Sequence, residues 1–386
     1  MQPLTIIGTG LAGYGVTREL RKLDPDLPIR LITAEPGASY YKPNLSKSFG
    51  AGQSAVDLTL ASAEKMAAQL NVEILTETRV SVIRPQQCAL TLDNRELAYS
   101  RLVLACGADA VIPRIDGASA LSVVHSLEDY TRVREALLEQ REVVVIGAGL
   151  IGCEFANDLA AAGYSVTVVD VEAWPLARLA PRAVGKALMA ALSALNVRWA
   201  LESGVVAVES LGDRHRVHLV DGTILPAGLV LCAIGQRPRT ALAAAAGLAV
   251  GAGIQVDSYL GTSDSRIYAL GDCAEIDGQV HPFVVPIAHS AKALARTLAG
   301  TSTAVAFPAM PIVLKTPACP VVLLPPAVAG VVGHWSVTGE GIDLVARYHD
   351  EHGRLLAFAL TGHAVANRVA LVQEWNAARE RVGVPS

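Results

Sequence analysis

The chain has 386 residues, of which 52% are hydrophobic and 18% are charged, and its formal net charge is -4. This length predicts two or three domains, while the small net charge argues against nucleic acid or an anionic membrane surface as a partner. No charge-free apolar stretch reaches the ~20 residues that a membrane helix needs. Because a strand-like run begins almost at once and no signal peptide is recognisable, the sequence predicts a cytoplasmic protein.

The first predicted unit is a strand, a glycine-rich turn, a helix and a second strand. Residues 4–7 form an apolar run, the turn Gly8-Thr9-Gly10-Leu11-Ala12-Gly13 follows, and the helix and second strand are expected over 12–22 and 29–33. In this setting the turn directs helix N–H groups towards a pyrophosphate. Glu35 follows the second strand, where an acidic residue binds the ribose hydroxyls of an adenosine.

A polar, proline-containing loop comes next, over residues 39–47, with Ser46 as a candidate helix cap. Strands are predicted over 72–75, 79–83 and 102–107, with a hairpin turn around Asp93-Asn94. Pro113 and Gly117 then indicate a linker into a second unit.

The second unit repeats the plan of the first. A strand over 143–146 leads into Gly147-Ala148-Gly149-Leu150-Ile151-Gly152, a helix over 151–162 and a strand over 165–169 that ends at Asp170. A later apolar strand, 229–235, resembles the strand 102–107. One glycine motif is weak evidence, but a duplicated unit predicts two bound dinucleotides, as in an enzyme that passes electrons between a flavin and a nicotinamide. Asp170 accepts hydrogen bonds from a ribose 2′-hydroxyl and repels a 2′-phosphate, which favours NADH over NADPH.

The remaining segments complete the predicted architecture. A helix is expected over 241–246, residues 267–274 return to the first domain, and a helix follows over 288–298. Proline-punctuated strands over 311–315 and 320–324 and a helical tail over 364–381 predict a small α+β domain. The predicted fold class is therefore α/β, with two Rossmann-like domains, 1–110 plus 240–305 and 111–239, and a C-terminal α+β domain, 306–386.

The cysteines lie far apart in the sequence, at Cys88, Cys106, Cys153, Cys232, Cys273 and Cys319. Without a C-x-x-C pair, isolated thiols in a reducing compartment are expected, and electrons are expected to leave directly from the flavin. A remote pair brought together by folding stays open. His349 and His352 lie in a polar turn that is better interpreted as a solvated loop than as a metal site, so no metal is predicted.

Four motifs together carry a family resemblance. The two glycine turns, Ala233-Ile234-Gly235-Gln236-Arg237-Pro238 and Ala269-Leu270-Gly271-Asp272 resemble the FAD-dependent pyridine nucleotide–disulfide oxidoreductase superfamily over residues 1–305. The sequence lacks a redox cysteine pair, and in this it resembles the ferredoxin and rubredoxin reductase branch of that superfamily. Tyr40-Tyr41-Lys42-Pro43, residues 147–158 and Leu314-Lys315-Thr316-Pro317-Ala318-Cys319-Pro320 resemble the rubredoxin reductases, which implies a glutathione-reductase-like fold.

The glycine motifs and the resemblance together give the predicted site residues. For FAD they are Gly8, Thr9, Gly10, Leu11, Ala12, Gly13, Ala34, Glu35, Lys42, Val80, Glu154, Asp272, Val284, Val285 and Lys315. For NADH they are Gly147, Gly149, Gly152, Glu154, Asp170 and Gly235. Lys42, Glu154 and Lys315 are expected at the catalytic flavin, although the alternative for the two lysines is an ordinary surface position and for Glu154 a carboxylate favoured by the helix dipole.

The implied function is electron transfer from NADH through FAD to rubredoxin. The first alternative acceptor is the [2Fe–2S] ferredoxin of an oxygenase system. The second is oxygen or peroxide, but that class of enzyme usually carries a catalytic cysteine around Leu45-Ser46-Lys47, and this sequence has none there. A flavin-binding signalling protein without turnover is the third alternative.

Overall fold

A computed structural model describes residues 2–92, 95–326 and 332–380. The predicted hairpin turn at Asp93-Asn94 and the end of the predicted tail helix at Arg381 lie outside the described residues. The chain forms two compact units: unit 1 is Met1–Lys42, Val56–Asp109 and Gln236–Phe307, and unit 2 is Pro43–Ala55, Ala110–Gly235 and Pro308–Ser386.

The α-helices are α1 Leu11–Leu23, α2 Ala55–Leu58, α3 Ala63–Leu70, α4 Leu127–Glu139, α5 Leu150–Ala161, α6 Arg182–Ser193, α7 Ala241–Ala245, α8 Val284–Leu298 and α9 Arg368–Glu380. Short 3-10 helices cover Lys42–Lys47, Pro85–Gln87, Ala118–Ala120, Gly271–Cys273 and Gly362–Asn367. The strands are β1 Leu4–Ile7, β2 Ile29–Ile32, β3 Ser39–Tyr40, β4 Thr59–Ala61, β5 Glu73–Leu75, β6 Val80–Arg84, β7 Ala89–Leu92, β8 Arg95–Ala98, β9 Arg101–Leu104, β10 Ala108–Ala110, β11 Glu142–Ile146, β12 Ser165–Val169, β13 Arg198–Ala200, β14 Val205–Leu211, β15 Arg214–Leu219, β16 Ile224–Ala227, β17 Leu229–Cys232, β18 Gln236–Pro238, β19 Ile254–Val256, β20 Ile267–Ala269, β21 Ala274–Ile276, β22 Gln279–Val280, β23 Ile312–Leu314, β24 Val321–Leu324, β25 His334–Glu340, β26 Asp343–His349 and β27 Leu355–Thr361.

Unit 1 is built on a parallel sheet in the order β20-β9-β1-β2-β5. Its strands are short apolar runs, as expected for parallel strands covered on both faces. Helices α1 and α8 pack against each other, and Leu20 and Leu294 are fully buried in the core that they share with β1. The antiparallel sheet β6-β7-β8 adds a second core around Leu90.

Unit 2 contains a parallel sheet in the order β13-β12-β11-β17 and an antiparallel sheet in the order β14-β15-β16. Its C-terminal part is an antiparallel sheet in the order β23-β24-β27-β26-β25, with Leu371 and Trp375 of α9 packed on it in a separate core. This arrangement confirms the predicted fold class, because parallel Rossmann-like sheets are accompanied by a small α+β part.

The parallel halves of the two units share backbone detail as well as strand order. The Gly8 N–H donates to Ile32 O at 2.8 Å, and the Gly147 N–H donates to Val169 O at 2.8 Å. Two left-handed positions also recur, at Asn71 and Glu77 in unit 1 and at Asn196 and Glu202 in unit 2. The internal duplication predicted from the glycine turns therefore extends through the third strand of each half.

Some predicted boundaries differ from the observed ones. Helix α8 begins at Val284 rather than at 288, because Pro286 lies in its first turn, where no intrahelical N–H is needed. The tail begins as a 3-10 turn, Gly362–Asn367, before α9. Residues 43–55, which lie within the predicted first domain, are part of unit 2, and the predicted three-domain boundaries stay a prediction.

Candidate dinucleotide sites and a buried lysine–carboxylate cluster

The three glycines of the first glycine turn have different surroundings: two are closely packed and one faces open space. A Cβ on Gly8 would lie 2.2 Å from Ala105 O, and one on Gly13 would lie 1.9 Å from Gly8 O. Because a side chain at either position would collide with the backbone, both positions need glycine. A Cβ on Gly10 would have no neighbour within 4 Å. Helix α1 starts there with no side-chain cap and no acidic residue in its first turn. Its N–H groups therefore suit an anionic ligand such as a pyrophosphate.

Asp272 lies close to the start of α1 in unit 1. Gly271 has φ +80°, and a Cβ on it would lie 2.8 Å from the Ala12 Cβ. Burial raises the pKa of Asp272, while the charge of Lys42 and a hydrogen bond from Gln236 act in the opposite direction. A half-buried carboxylate beside an open helix terminus fits a hydroxyl-rich chain such as the ribityl group of FAD.

The other residues predicted for FAD in unit 1 lie on turns and strand ends. Ala34 and Glu35 are exposed just after β2, and the Thr33 hydroxyl accepts the Glu35 N–H at 3.2 Å. Val80 is half-buried at the start of β6, and the Thr78 N–H donates to Thr33 O at 2.8 Å, which ties this strand to the end of β2. At the start of α8, Val284 is half-buried and Val285 is exposed. Their contact with FAD stays a prediction.

The second glycine turn has the same geometry. A Cβ on Gly152 would lie 1.9 Å from Gly147 O, while one on Gly149 would have no neighbour within 4 Å. Asp170 accepts the Ala148 N–H with Oδ2 and the Glu172 N–H at 2.8 Å with Oδ1, so its carboxylate lies directly at the turn. Helix α5 begins without a cap or an acidic residue in its first turn. The turn thus fits a second dinucleotide, with an acidic group where a ribose is expected.

Two further segments belong to the second predicted dinucleotide site: the residues after β17 and those after β12. Gly235 has φ +119° and open space on its Cβ side. Glu172 is paired with Arg178, whose Nε lies 2.9 Å from Glu172 Oε1. Arg178, the basic residue nearest to Asp170 in the sequence, is therefore partly neutralised.

Two of the three predicted catalytic residues, Glu154 and Lys315, form a charged cluster around a buried carboxylate. Glu154, in α5, is 3% exposed. The Lys315 Nζ lies 3.4 Å from each Glu154 carboxylate oxygen, and the Lys315 N–H donates to Glu154 Oε1 at 3.0 Å. The Ser46 hydroxyl donates to Oε2, and the Lys315 Nζ also donates to Pro43 O at 2.9 Å. A lysine and a glutamate from distant segments are therefore brought together in unit 2, as required if they act together.

Helix α5 assembles this cluster because its polar side chains lie one turn apart on one face. Asn157 Oδ1 accepts the Ala318 N–H at 3.2 Å, which fixes the loop that carries Lys315. Asp158 Oδ2 accepts the Gly50 N–H at 2.9 Å, and burial raises the pKa of Asp158. Sequence reasoning missed Asn157 and Asp158; the available signal was polar residues on an otherwise buried apolar helix.

The structure corrects one interpretation of the sequence, the helix cap at Ser46, and decides another that the sequence left open, the remote cysteine pair. Ser46 is not a helix cap: its hydroxyl donates to Glu154. Folding does bring two cysteines of unit 1 together: the interaction between their side chains lowers the pKa of the Cys273 thiol and raises that of Cys106. Both are free thiols.

Lys42 has a different neighbourhood from Lys315. It belongs to unit 1, where its charge acts on Asp272. The structure therefore associates Lys42 with the predicted FAD carboxylate, and Glu154 and Lys315 with each other. That any of the three contacts the flavin stays a prediction. Within residues 2–92, 95–326 and 332–380, no helix has the length and apolar character to cross a membrane.

Each of the two open glycine turns follows an inner strand of a parallel sheet and has a carboxylate near it, which is the arrangement expected of a protein that binds two dinucleotides. Residues 2–293 match the family described as pyridine nucleotide-disulphide oxidoreductase, and the chain belongs to that family. Residues 304–375 match the model of a rubredoxin binding C-terminal domain. The predicted family and its cofactors, FAD and NADH, are confirmed.

Relatives cover nearly the whole chain. The chain is 44% identical to a rubredoxin-NAD(+) reductase of Alcanivorax borkumensis, over 97% of this chain and 98% of that protein. It is 38% identical to a nitric oxide reductase FlRd-NAD(+) reductase of Vibrio vulnificus, over 96% and 97%. A solved ferredoxin reductase from Rhodopseudomonas palustris is similar with a TM-score of 0.86 and 27% identity, over 95% of this chain and 93% of that one.

Proposed function

We propose that this protein transfers electrons from NADH, through bound FAD, to the small iron protein rubredoxin. The observation that carries the proposal is the combination, in one chain, of two open glycine turns and a C-terminal region that matches a rubredoxin-binding domain. The similarity to a rubredoxin-NAD(+) reductase over nearly the full length of both chains supports it.

The two glycine turns bind and orient the cofactors. Residues 8–13 and the N–H groups at the start of α1 hold the FAD pyrophosphate, with Glu35 at the ribose and Asp272 at the ribityl chain. Gly147, Gly149 and Gly152 hold the NADH pyrophosphate in the same manner. The residues present fit both groups, because the second glycine of each turn is open and each helix start lacks a competing acidic side chain.

Asp170 selects NADH. Its carboxylate is fixed at the glycine turn by two backbone N–H groups, from Ala148 and Glu172, and can accept a further hydrogen bond from a ribose 2′-hydroxyl. A 2′-phosphate at that point would meet a negative charge. Arg178 offsets this charge only in part, since its hydrogen-bonded partner is Glu172.

When bound, FAD supplies the two-electron to one-electron conversion that links NADH to a single-iron carrier. The protein's contribution is orientation and charge. We assign Lys42, Glu154 and Lys315 to the flavin: the ammonium of Lys315 stabilises the negative charge that accompanies reduction, and Glu154 holds that ammonium in place. No acid–base residue is required for the transfer itself.

A ferredoxin is the second candidate acceptor. The likeness to a solved ferredoxin reductase over 95% of this chain favours it, although that chain shares only 27% of its residues. We also propose a cytoplasmic location, which the six free cysteines support because disulfides form and persist mainly in oxidising compartments.

The test is steady-state NADH oxidation by the FAD-loaded protein with purified rubredoxin, with a [2Fe–2S] ferredoxin, and with oxygen alone. Fast turnover that needs rubredoxin supports the proposal. Equal or faster turnover with the ferredoxin would assign the protein to oxygenase reductases, and equal turnover with oxygen alone would make it an oxidase. Slow turnover in all three would remove the enzyme assignment.

A further inference from the structure

The buried carboxylate of Glu154 has hydrogen-bond donors on both oxygens. Oε1 accepts the Lys315 backbone N–H at 3.0 Å, and Oε2 accepts the Ser46 hydroxyl. The Lys315 Nζ lies 3.4 Å from both oxygens, so it straddles the carboxylate. Because the backbone donor and the hydroxyl donor hold opposite oxygens, they fix the plane of the carboxylate, and that plane determines where the ammonium lies.

Ser46 belongs to the same short helical turn that holds the ammonium from the other side. Pro43, three residues earlier, accepts a hydrogen bond from the Lys315 Nζ at 2.9 Å with its carbonyl oxygen. Ser46 is 4% exposed, so water cannot replace its hydroxyl easily. The alternative acceptor for this hydroxyl is Pro43 O, at the longer distance of 3.4 Å. One turn therefore supplies both the donor that orients Glu154 and an acceptor for Lys315.

We propose that Ser46 is a positioning residue that acts through Glu154 to fix the ammonium of Lys315, and so helps to set the reduction potential of the flavin. The proposal rests on the assignment of Lys315 to the flavin made above. Ser46 itself need not touch the cofactor. The Ser46 hydroxyl holds the Glu154 carboxylate in one orientation. Without this hydrogen bond the carboxylate can rotate, and the Lys315 ammonium then shifts with the oxygens that it pairs with.

Ser48 provides a matched control. It lies in the same segment, it is 1% exposed, and its hydroxyl donates to Asn44 O at 2.7 Å, a local contact that involves neither Glu154 nor Lys315. If Ser46 only packs this segment, removal of either hydroxyl should have the same effect. If Ser46 positions Lys315, only removal of the Ser46 hydroxyl should change the reduction potential of the flavin.

The experiment measures the flavin reduction potential of the FAD-loaded protein by equilibration with redox dyes, without rubredoxin. The variants are Ser46→Ala, Ser46→Thr, Ser48→Ala, Lys315→Ala and the double variant Ser46→Ala with Lys315→Ala. We expect Ser46→Ala to lower the potential by less than Lys315→Ala does, Ser46→Thr to restore it, and Ser48→Ala to leave it unchanged. In the double variant the Ser46 change should add nothing to the Lys315 change.

A second readout does not depend on the reduction potential of the flavin. Thermal unfolding of the same FAD-loaded variants gives the coupling between Ser46 and Lys315, which should be non-zero. With a Ser48→Ala, Lys315→Ala double variant added, it also gives the coupling between Ser48 and Lys315, which should be zero. Additive effects of Ser46 and Lys315 on both unfolding and potential would overturn the proposal. If Lys315→Ala itself leaves the potential unchanged while the unfolding coupling is present, the assignment of Lys315 to the flavin fails instead.

Discussion

Lys315 and Glu154 are 161 positions apart in the sequence, yet the Lys315 Nζ lies 3.4 Å from both carboxylate oxygens of Glu154. The carboxylate is almost fully buried, whereas the lysine side chain is 27% exposed. The ammonium therefore has a buried partner, while part of the lysine side chain stays exposed. The role that we propose for Lys315 at the flavin needs such an arrangement, because the ammonium has to remain fixed by the protein.

Lys315→Ala should lower the flavin reduction potential, because the reduced cofactor loses a stabilising positive charge. The measurement is dye equilibration of the FAD-loaded variant beside the wild type. Lys186→Ala, which removes an exposed lysine of α6 in the same unit, is the matched control and should have no effect. An unchanged potential in Lys315→Ala would refute the assigned role.

Glu154→Gln should shift the potential in the opposite direction. The amide retains the shape of the side chain and removes its negative charge, so the Lys315 ammonium is no longer neutralised and reduction becomes more favourable. Because the change weakens a buried hydrogen-bonded ion pair, we also expect a loss of ~1–3 kcal/mol in the free energy of unfolding. A potential that falls in both Glu154→Gln and Lys315→Ala would contradict the charge argument.

Asp170→Asn should reduce the preference for NADH. Removal of the charge relieves repulsion of a 2′-phosphate and weakens acceptance from a 2′-hydroxyl, so the ratio of kcat/KM for NADH to that for NADPH should fall by about tenfold, equivalent to ~1.4 kcal/mol. Glu172→Gln is the comparison: it leaves Asp170 in place and releases Arg178 from its pair, so the ratio should fall less than in Asp170→Asn. A ratio that responds to Glu172 and not to Asp170 would move the selectivity to Glu172.

Asp272→Asn should weaken FAD binding and stabilise the FAD-free protein at neutral pH. Burial raises the pKa of Asp272, so the folded state holds this proton at a pH where the unfolded state has released it. This group therefore makes the FAD-free protein less stable as pH rises from the unfolded pKa through the folded pKa, and the loss persists above it. The asparagine variant should lack that loss when unfolding is followed from acidic to neutral pH. A variant less stable than wild type at neutral pH would argue against this burial cost.

Gly10→Ala and Gly13→Ala should separate binding from folding. Gly10 has an ordinary φ of -74° and open space, so alanine should leave the FAD-free protein within ~0.5 kcal/mol of wild type while obstructing FAD. Gly13→Ala should destabilise the fold itself, because its Cβ would lie 1.9 Å from Gly8 O. Unfolding of the FAD-free forms and FAD titration give the two readouts. Gly149→Ala, the corresponding change in the second turn, should raise the KM for NADH and leave FAD binding intact.

The sequence predicted the dinucleotide halves well because their signals are local. A glycine that must adopt positive φ, an apolar strand before it and an amphipathic helix after it lie within about 30 residues of each other, and the same pattern occurs twice. The strand 165–169 matches its predicted bounds, and α1 and α5 each begin within one residue of the expected position. The start of α8 was less accurate, since proline in a first helical turn looks like a break when only the sequence is considered.

By itself, the sequence determined the two glycine turns, their parallel sheets, the family and hence the cofactors, because turn chemistry and strand periodicity act over short distances. Only the tertiary structure decided that residues 43–55 belong to unit 2, that Ser46 binds Glu154, and that Asn157 and Asp158 hold the loops on either side. These contacts join residues more than a hundred positions apart, and no local pattern encodes which buried donor will meet which buried carboxylate. The pairing follows from the need to satisfy the polar groups of α5 once its apolar face is buried.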